Sequence, residues 1–262
     1  MRKRFDGVLL CTDFDGTLAH GGKITKANVD AIRYFQEEGG VFTVVSGRHP
    51  AFIGDLREYI LPNAPICGMN GACIADAATG QIVYEAPMAS ESIRFAVDLL
   101  KRLPGITELH IQAKTDTFQT RVVDGRPLTT VPAEIDDIYK ILFVVSGDDA
   151  SDEATAILSR EAEGRYAVSR SWRNGLEIQR CGIDKGSAVR FLKEWFGGRI
   201  VYTVGAGDYE NDIPLLLASD LKVAEQNAIP AIKAIADRIT TSCREDSIAN
   251  IIKESLCGIS AP

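Results

Sequence analysis

Residues 8–17 read Val-Leu-Leu-Cys-Thr-Asp-Phe-Asp-Gly-Thr, an apolar run followed at once by two acids. The run at 8–12 predicts a buried β-strand, which puts the acids in the loop at its carboxyl end. Ligands of open α/β sheets bind at that edge. Asp13 and Asp15 suit Mg²⁺, which prefers oxygen ligands, and equally a nucleophile beside a general acid and base. The alternative is an ordinary polar turn, since Asp, Gly and Thr are common turn residues.

Three further segments carry polar side chains beside predicted strands or at the start of a helix. Ser46-Gly47-Arg48 follows a strand at 41–45, and its hydroxyl and free N–H suit a phosphoryl oxygen, although an ordinary turn is the alternative. Lys185 opens a helix and can neutralise a phosphoryl group or a carboxylate; a solvated lysine is the alternative. The acids of 207–212, after a strand at 200–204, repel one another unless a cation lies among them.

The order of predicted elements indicates two structural regions. At both ends of the chain strands alternate with helices, which predicts a parallel, Rossmann-like α/β sheet covered on both faces. Helices are expected at about 25–38, with Thr25 as the cap, at 50–60 and at 246–256, and a short strand near 221–224. The middle contains several strands and turn signals at Asp124-Gly125 and Asn174-Gly175, which favour antiparallel hairpins. We therefore expect a discontinuous core of residues 1–83 and 181–262, with an inserted α+β domain at 84–180.

Bulk properties exclude several classes of protein. The 262 residues carry a net charge of −7, which argues against nucleic acid or an anionic membrane surface as the main partner. The six cysteines and three histidines contain no zinc-site pattern, so reduced, mostly buried thiols are expected. The apolar run after the basic residues 1–4 is too short for a signal peptide, and no stretch is long enough to span a bilayer. A cytoplasmic location is expected.

The four segments, in this order, resemble the motifs of the haloacid dehalogenase (HAD) superfamily of phosphohydrolases. They match as Asp-x-Asp-Gly-Thr at 13–17, Ser-Gly-Arg at 46–48, Lys185, and Gly-Asp-x-x-Asn-Asp at 207–212. The spacing resembles the Cof-type branch, whose cap domain is inserted between the second and third motifs. The segments at 65–72 and 176–178 look like that branch as well, whereas 223–228 lacks the glycine often found there before Asn-Ala.

The resemblance implies a Mg²⁺-dependent phosphatase with a specific role for each matched residue. Asp13 would take the phosphoryl group as an aspartyl phosphate, and Asp15 would protonate the leaving oxygen and later deprotonate the attacking water. The metal would be held by the Asp13 and Asp208 carboxylates and the Asp15 backbone carbonyl, with Asp212 supporting the loop. The residues implied to bind the phosphoryl group or substrate, besides Lys185, are Phe14, Ser46, Gly47, Arg48, Asn70 and Asn211.

The acid at position 15 decides the expected subclass, because the family's ATPases carry threonine there and its dehalogenases lack an acid. A phosphatase acting on a small metabolite, such as a sugar phosphate, is the expected function. A phosphomutase acting on a hexose phosphate and a catalytically silent metabolite-binding protein stay open, and a receiver domain fits poorly because the chain is too long. Substrate and oligomeric state are not readable from the sequence.

Specificity is expected to come from the inserted domain. Trp172, Arg173, Asn174 and Glu177 are candidates because they precede the return to the core. The alternatives are a structural aromatic at a hairpin edge for Trp172 and a solvated charge for Arg173.

Overall fold

The computed structural model describes residues 3–53 and 56–256 and divides into two compact units. The first unit is Met1–Tyr84 together with Asp184–Pro262, and the second is Glu85–Ile183. The chain therefore leaves the first unit after Tyr84 and returns to it at Asp184.

Strands and helices are numbered separately, each in chain order. The strands are β1 Val8–Thr12, β2 Val41–Val44, β3 Ile66–Gly68, β4 Cys73–Ala75, β5 Ile82–Glu85, β6 Ile106–Ala113, β7 Thr117–Val123, β8 Arg126–Pro127, β9 Ile138–Val145, β10 Tyr166–Trp172, β11 Gly175–Arg180, β12 Tyr202–Gly207, β13 Leu221–Ala224 and β14 Arg238–Ile239. The α-helices are α1 Lys26–Glu37, α2 Leu56–Tyr59, α3 Glu91–Leu99, α4 Asp148–Ala162, α5 Lys185–Trp195, α6 Ile213–Leu217, α7 Pro230–Ile235 and α8 Ser247–Asn250.

The first unit is built on a parallel five-stranded sheet in the order β14-β13-β12-β1-β2. Successive residues of β1 point to opposite faces: Leu10 packs in a cluster with α1 and α8, and Leu9 in a cluster with α5 and α6. Because both faces are covered by helices, β1 and β2 are buried throughout, which is why they read as largely apolar runs. The predicted parallel α/β core is confirmed.

Helix α1 begins and ends where its sequence predicts. The Thr25 hydroxyl accepts a hydrogen bond from Asn28 N at 3.3 Å, which satisfies a backbone donor of the first turn. The chain leaves the helix at Gly39, whose φ of +89° favours a residue without a side chain.

The second unit contains a six-stranded sheet in the order β10-β11-β9-β6-β7-β8. Its described strand pairs are antiparallel. Apolar residues of α3 and α4 pack on one face of it. Asp124 and Gly125 have positive φ angles of 49° and 68°, as a tight hairpin turn requires. Both predicted hairpins are present, so the expected additional α+β fold is confirmed.

Several predicted boundaries are corrected by the structure. The helix predicted from Pro50 to about Ile60 is a 3-10 turn at Pro50–Ile53 and the short α2, while residues 54 and 55 lie outside the described range. The strand predicted at 200–204 begins at Tyr202 and continues to Gly207, because glycine and alanine pair there with β13. The helix predicted at 246–256 is α8 followed by a π-helical turn at Ile251–Ser255.

The sequence did not predict several short elements of the structure. Strands β4, β8 and β14 have two or three residues each, too few for a period-2 pattern. A short helical turn at Met69–Gly71 contains Asn70 with a φ of 51°. Among the described helices, none has the length and apolar character needed to cross a bilayer.

Candidate active site

The predicted site residues of the core lie at one edge of the parallel sheet. Thr12, at the end of β1, pairs with Ala206 of β12 on one side and Val44 of β2 on the other. The chain leaves these strands into the loops that carry Asp13, Asp208 and Ser46, and Asp13 N donates to Ala206 O at 2.9 Å. Segments far apart in sequence are therefore brought together by strand register.

Lys185 is the first residue of α5, and its side chain enters this site. The Asp184 side chain caps the helix by accepting from Ser187 N at 2.7 Å, which fixes where the helix starts. Lys185 Nζ lies 2.6 Å from Asp13 Oδ1 and 2.5 Å from Asp212 Oδ1. Its side chain is 1% exposed, so this ammonium is a buried counter-ion rather than a solvated surface lysine.

Asp212 has both carboxylate oxygens engaged by the protein. Oδ1 accepts from Lys185, and Oδ2 accepts from Asp208 N at 2.9 Å and Tyr209 N at 3.0 Å. The Asp212 side chain therefore holds the backbone of the loop that presents Asp208.

One oxygen each of Asp13, Asp208 and Asp212 lies within 4.8 Å of the other two. Burial raises the pKa of Asp13 well above its usual range, and the charges of Asp212 and Asp208 raise it further against the lowering effect of Lys185. Burial and the charge of Asp212 raise the pKa of Asp208 to about 7, although the Thr17 hydrogen bond opposes this. These carboxylates carry more negative charge than one ammonium neutralises, so the cluster fits a divalent cation with oxygen ligands.

The pKa of Lys185 reflects two opposing effects. Burial alone would lower the pKa of this ammonium, but the charges and hydrogen bonds of Asp13 and Asp212 outweigh burial and raise it. Lys185 therefore keeps its proton at neutral pH and supplies a permanent positive charge to the site.

Thr17 holds Asp208 in place and Gly16 leaves room for its carboxylate, roles that the sequence analysis did not assign to either. Thr17 Oγ1 donates to Asp208 Oδ1 at 3.0 Å. A Cβ at Gly16, where φ is +87°, would overlap the Asp208 carboxylate. Both residues belong to the quoted motif at 13–17, so the sequence placed them beside the predicted site. It did not show that they contact Asp208.

Asp15 and Arg48 form a bidentate ion pair at the exposed side of this edge. Arg48 Nε and Nη2 each donate to one Asp15 oxygen, both at 2.6 Å, and the side chains of Arg48 and Asp15 are 43% and 51% exposed. The Arg48 guanidinium also lies 5.1 Å from the centre of the Phe14 ring. Phe14 itself is 5% exposed and packs in the core cluster.

The remaining predicted phosphate-binding residues lie in connected loops. Ser46 is buried, and its hydroxyl accepts from Arg48 N at 3.2 Å across Gly47. Asn70 N donates to Ser46 O at 2.9 Å, and Asn211 Nδ2 donates to Asn70 Oδ1 at 3.2 Å. These contacts connect the Ser-Gly-Arg segment to the loop of Asp208.

The loop after β13 adds two residues that the sequence analysis did not single out. Asn227 Nδ2 donates to Gly16 O at 2.8 Å. Glu225 is 0% exposed. Burial raises its pKa well above the usual range; the Ser247 hydroxyl lowers it, and the charges of Asp208, Asp13 and Asp212 raise it. Two signals were available: a polar residue straight after the predicted strand at 221–224, and the comparison of 223–228 with the Cof-type branch.

The specificity candidates of the second unit have structural contacts there. Trp172 lies 42% exposed at the hairpin edge, and its ring covers Gly175, where a Cβ would overlap it. Arg173 donates to both oxygens of Asp152 at 2.7 Å. Glu177 is buried and pairs with Lys140 at 2.7 Å.

Comparison with known proteins places the chain in a family. A family model described as haloacid dehalogenase-like hydrolase matches residues 10–252. The chain belongs to this family. The HAD resemblance read from the four motifs is thereby confirmed, and the chain is a HAD-type hydrolase.

Individual relatives cover nearly the whole chain. "Phosphoglycolate phosphatase 2" of Saccharolobus solfataricus is 28% identical over 96% of this chain and 93% of its own length. A 5-amino-6-(5-phospho-D-ribitylamino)uracil phosphatase, YcsE, of Bacillus subtilis is 26% identical over 96% and 97%. A solved haloacid dehalogenase-like hydrolase from B. subtilis superposes with a TM-score of 0.79 at 20% identity over 94% and 99%, which supports the fold assignment.

Proposed function

We propose that this HAD hydrolase is a Mg²⁺-dependent phosphatase that cleaves the phosphate monoester of a small metabolite through an aspartyl phosphate on Asp13. The observation that carries the proposal is the buried Lys185 ammonium, which contacts Asp13 beside the Asp208 and Asp212 carboxylates at the sheet edge. Phosphoryl transfer needs positioning and charge neutralisation above all, and this arrangement can supply both.

Asp13 is suited to act as the nucleophile. Lys185 donates to Oδ1, and among the described residues no hydrogen-bond donor engages Oδ2. That second oxygen is available to attack phosphorus, while Lys185 fixes the orientation of the carboxylate. Lys185 also neutralises charge on the transferring phosphoryl oxygens.

The metal would be held by the Asp13 and Asp208 carboxylates and the Asp15 backbone carbonyl. The acid cluster supports this assignment because burial and the mutual repulsion of the carboxyl groups raise the pKa values of Asp13 and Asp208, and a divalent cation among them would favour the ionised forms. When bound, Mg²⁺ would neutralise phosphoryl oxygens and keep both carboxylates ionised. Asp212 is left out of the ligand set because both of its oxygens accept hydrogen bonds from protein donors.

Asp15 would donate a proton to the leaving oxygen and then take one from the attacking water. Ser46, Gly47, Asn70 and Asn211 would contact the phosphoryl group or the leaving group, and Phe14 would contribute its backbone N–H. The second unit, Glu85–Ile183, is proposed to act as the cap that selects the substrate. Two relatives are named for small phosphomonoesters, phosphoglycolate and a phosphoribityl compound, which supports a small substrate and leaves a sugar phosphate as the first choice.

The test is release of inorganic phosphate from a panel of phosphorylated metabolites with Mg²⁺ or with EDTA. Wild type is compared with Asp13→Asn and with Asp30→Asn, an exposed acid of α1 that serves as the matched control. Activity that needs both Mg²⁺ and Asp13, but not Asp30, supports the proposal. A protein that isomerises a hexose phosphate without net release is a mutase, and one that binds but converts none of them is a binding protein; either result overturns the proposal.

The covalent intermediate has a separate test. Asp15→Asn should slow hydrolysis of the aspartyl phosphate, so acid-quenched protein should gain the mass of one phosphoryl group on the peptide that contains Asp13. Absence of that adduct during turnover, together with unimpaired turnover by Asp15→Asn, would contradict the mechanism.

A further inference from the structure

Glu225 and Asp208 occupy equivalent positions after neighbouring parallel strands. Gly207, the last residue of β12, pairs with Ala224, the last residue of β13. Glu225 N continues this ladder by donating to Gly207 O at 3.4 Å. Side chains that directly follow a pair of matched residues on parallel strands point to the same face of the sheet. Glu225 and Asp208 therefore lie at the same edge of the sheet and on the same face.

The Glu225 carboxyl group is buried without a hydrogen-bond partner. The residue is 0% exposed, and no described donor meets Oε1 or Oε2 in hydrogen-bonding geometry. The Ser247 hydroxyl lies close enough to lower the Glu225 pKa, but its proton is directed to Thr17 O at 3.2 Å. A buried carboxyl group without donors is costly and requires an explanation, and a bound water or ion is the usual one.

The surroundings of Glu225 identify the kind of ligand. Asp208, Asp13 and Asp212 are near enough for their charges to act on it, and Lys185 is the one cation in contact with the described carboxylates of the cluster. Four acidic groups facing one ammonium require further positive charge. Glu225 is not among the carboxylates whose oxygens approach within 4.8 Å of one another. Glu225 can therefore act on a cation held by Asp13 and Asp208 only through an intervening group, not as a direct ligand.

Contacts on both sides fix the loop that carries Glu225. Asn227 Nδ2 donates to Gly16 O at 2.8 Å, and its Oδ1 accepts from Cys243 N at 2.9 Å. Ile229 N donates to Asp208 O at 3.0 Å. The Glu225 backbone is thus tied to the acid loops after β1 and β12, as expected for a group held in a defined place.

We propose that Glu225 is a positioning residue of the metal site, where it accepts a hydrogen bond from a water molecule coordinated to the divalent cation. The inference rests on the metal site of the proposed function. Mg²⁺ in proteins keeps several of its waters, and a carboxylate that holds such a water supplies the donor that the buried Glu225 oxygens lack. Groups of this kind orient the coordination sphere and raise metal affinity.

The test is isothermal titration of metal-free protein with Mg²⁺, alongside thermal unfolding in EDTA and in Mg²⁺. Glu225→Met keeps the side-chain length and removes both acceptors, and Glu225→Gln keeps one. Gln226→Ala, an exposed neighbour, is the matched control for disturbance of the loop. We expect the dissociation constant for Mg²⁺ to rise about tenfold or more in Glu225→Met, less in Glu225→Gln, and not in Gln226→Ala.

Unfolding in EDTA distinguishes a metal-site role from a structural one. Removal of an unpartnered buried carboxyl group should leave the melting temperature of metal-free Glu225→Met unchanged or higher, while the increase produced by Mg²⁺ becomes smaller. A lower melting temperature in EDTA with an unchanged Mg²⁺ increment would overturn the inference. Unaltered Mg²⁺ affinity in both Glu225 variants, with wild type active, overturns the inference alone. Failure of wild type to bind Mg²⁺ overturns it together with the proposed metal site.

Discussion

Arg48 holds both carboxylate oxygens of Asp15, through Nε and Nη2 at 2.6 Å each. A protonated carboxyl group cannot accept at both oxygens in this way, so one of these bonds must open when Asp15 carries the proton of the proposed acid step. The Arg48 guanidinium also lies over the Phe14 ring, 5.1 Å from its centre, in a cation–π contact that favours this position. Arg48 is therefore placed to set the orientation of Asp15, in addition to any contact with substrate.

The first prediction concerns Arg48→Lys and Arg48→Ala. A lysine keeps the positive charge but lacks the planar guanidinium that bonds both oxygens of Asp15, and an alanine lacks both. Both variants should therefore lose the fixed orientation of Asp15. We expect kcat to fall about 10- to 100-fold with an alkyl phosphate, whose leaving oxygen needs a proton. The fall should be much smaller with an aryl phosphate that has a weakly basic leaving group. Equal losses on both substrates would instead indicate that Arg48 acts on the phosphoryl group.

The second prediction concerns the buried charge of Lys185. Lys185→Met leaves the buried Asp13 and Asp212 carboxylates without their counter-ion, and the loss of one partner from a buried ion pair costs about 3–5 kcal/mol. We expect urea unfolding in EDTA to show a loss of this order, with part of it restored by Mg²⁺. Lys26→Met, which removes an exposed pair with Asp30, should change stability by less than about 1 kcal/mol. A loss that Mg²⁺ does not reduce would argue against a cation beside these carboxylates.

The third prediction is a pH dependence of metal binding. Asp208 has its pKa raised from 3.8 to about 7, so metal-free protein holds a proton there below neutrality and Mg²⁺ must displace it. Apparent Mg²⁺ affinity should rise at least tenfold per pH unit up to roughly pH 7, because Mg²⁺ displaces the Asp208 proton and any proton that the raised pKa of Asp13 retains, and should rise less steeply above it. Because the folded pKa lies above the unfolded one, metal-free protein should also lose stability as the pH rises through this window.

Titration calorimetry in buffers of different ionisation enthalpy measures the protons released with each Mg²⁺. We expect release at pH 6 that declines towards pH 8. Equal affinity across this range, with no proton release, would contradict the raised pKa of Asp208.

The sequence was sufficient to predict the positions of residues that directly follow a strand or begin a helix. Asp13, Asp208 and Ser46 follow apolar strands, and Lys185 starts a capped helix, so their places at one sheet edge could be predicted from strand and helix signals. Side-chain contacts that arise only from tertiary packing could not be predicted. The bond from Thr17 to Asp208 and the ion pair of Arg48 with Asp15 join residues 191 and 33 positions apart. The place of Glu225 beside Asp208 depends on the pairing of β13 with β12. No periodicity in one chain reports such pairings.

The fourth prediction concerns the buried pair of Lys140 and Glu177 in the second unit. Lys140 Nζ lies 2.7 Å from Glu177 Oε1, with side chains 5% and 0% exposed, on the adjacent strands β9 and β11. Glu177→Leu or Lys140→Met alone removes the oppositely charged partner of a buried charge and should cost about 3–5 kcal/mol in urea unfolding. The double variant should recover most of this loss, because both charges of the pair are then removed.

The exposed pair of Arg102 and Glu161 is the matched control, since its side chains are 52% and 25% exposed at 2.6 Å. Its single variants should each cost less than about 1 kcal/mol. If the Lys140 and Glu177 losses instead add in the double variant, the two charges do not compensate each other, and their burial must be supported by other polar groups. Where the double variant is stable but loses activity on the best substrate, the pair serves the proposed selection of substrate by this unit rather than its folding.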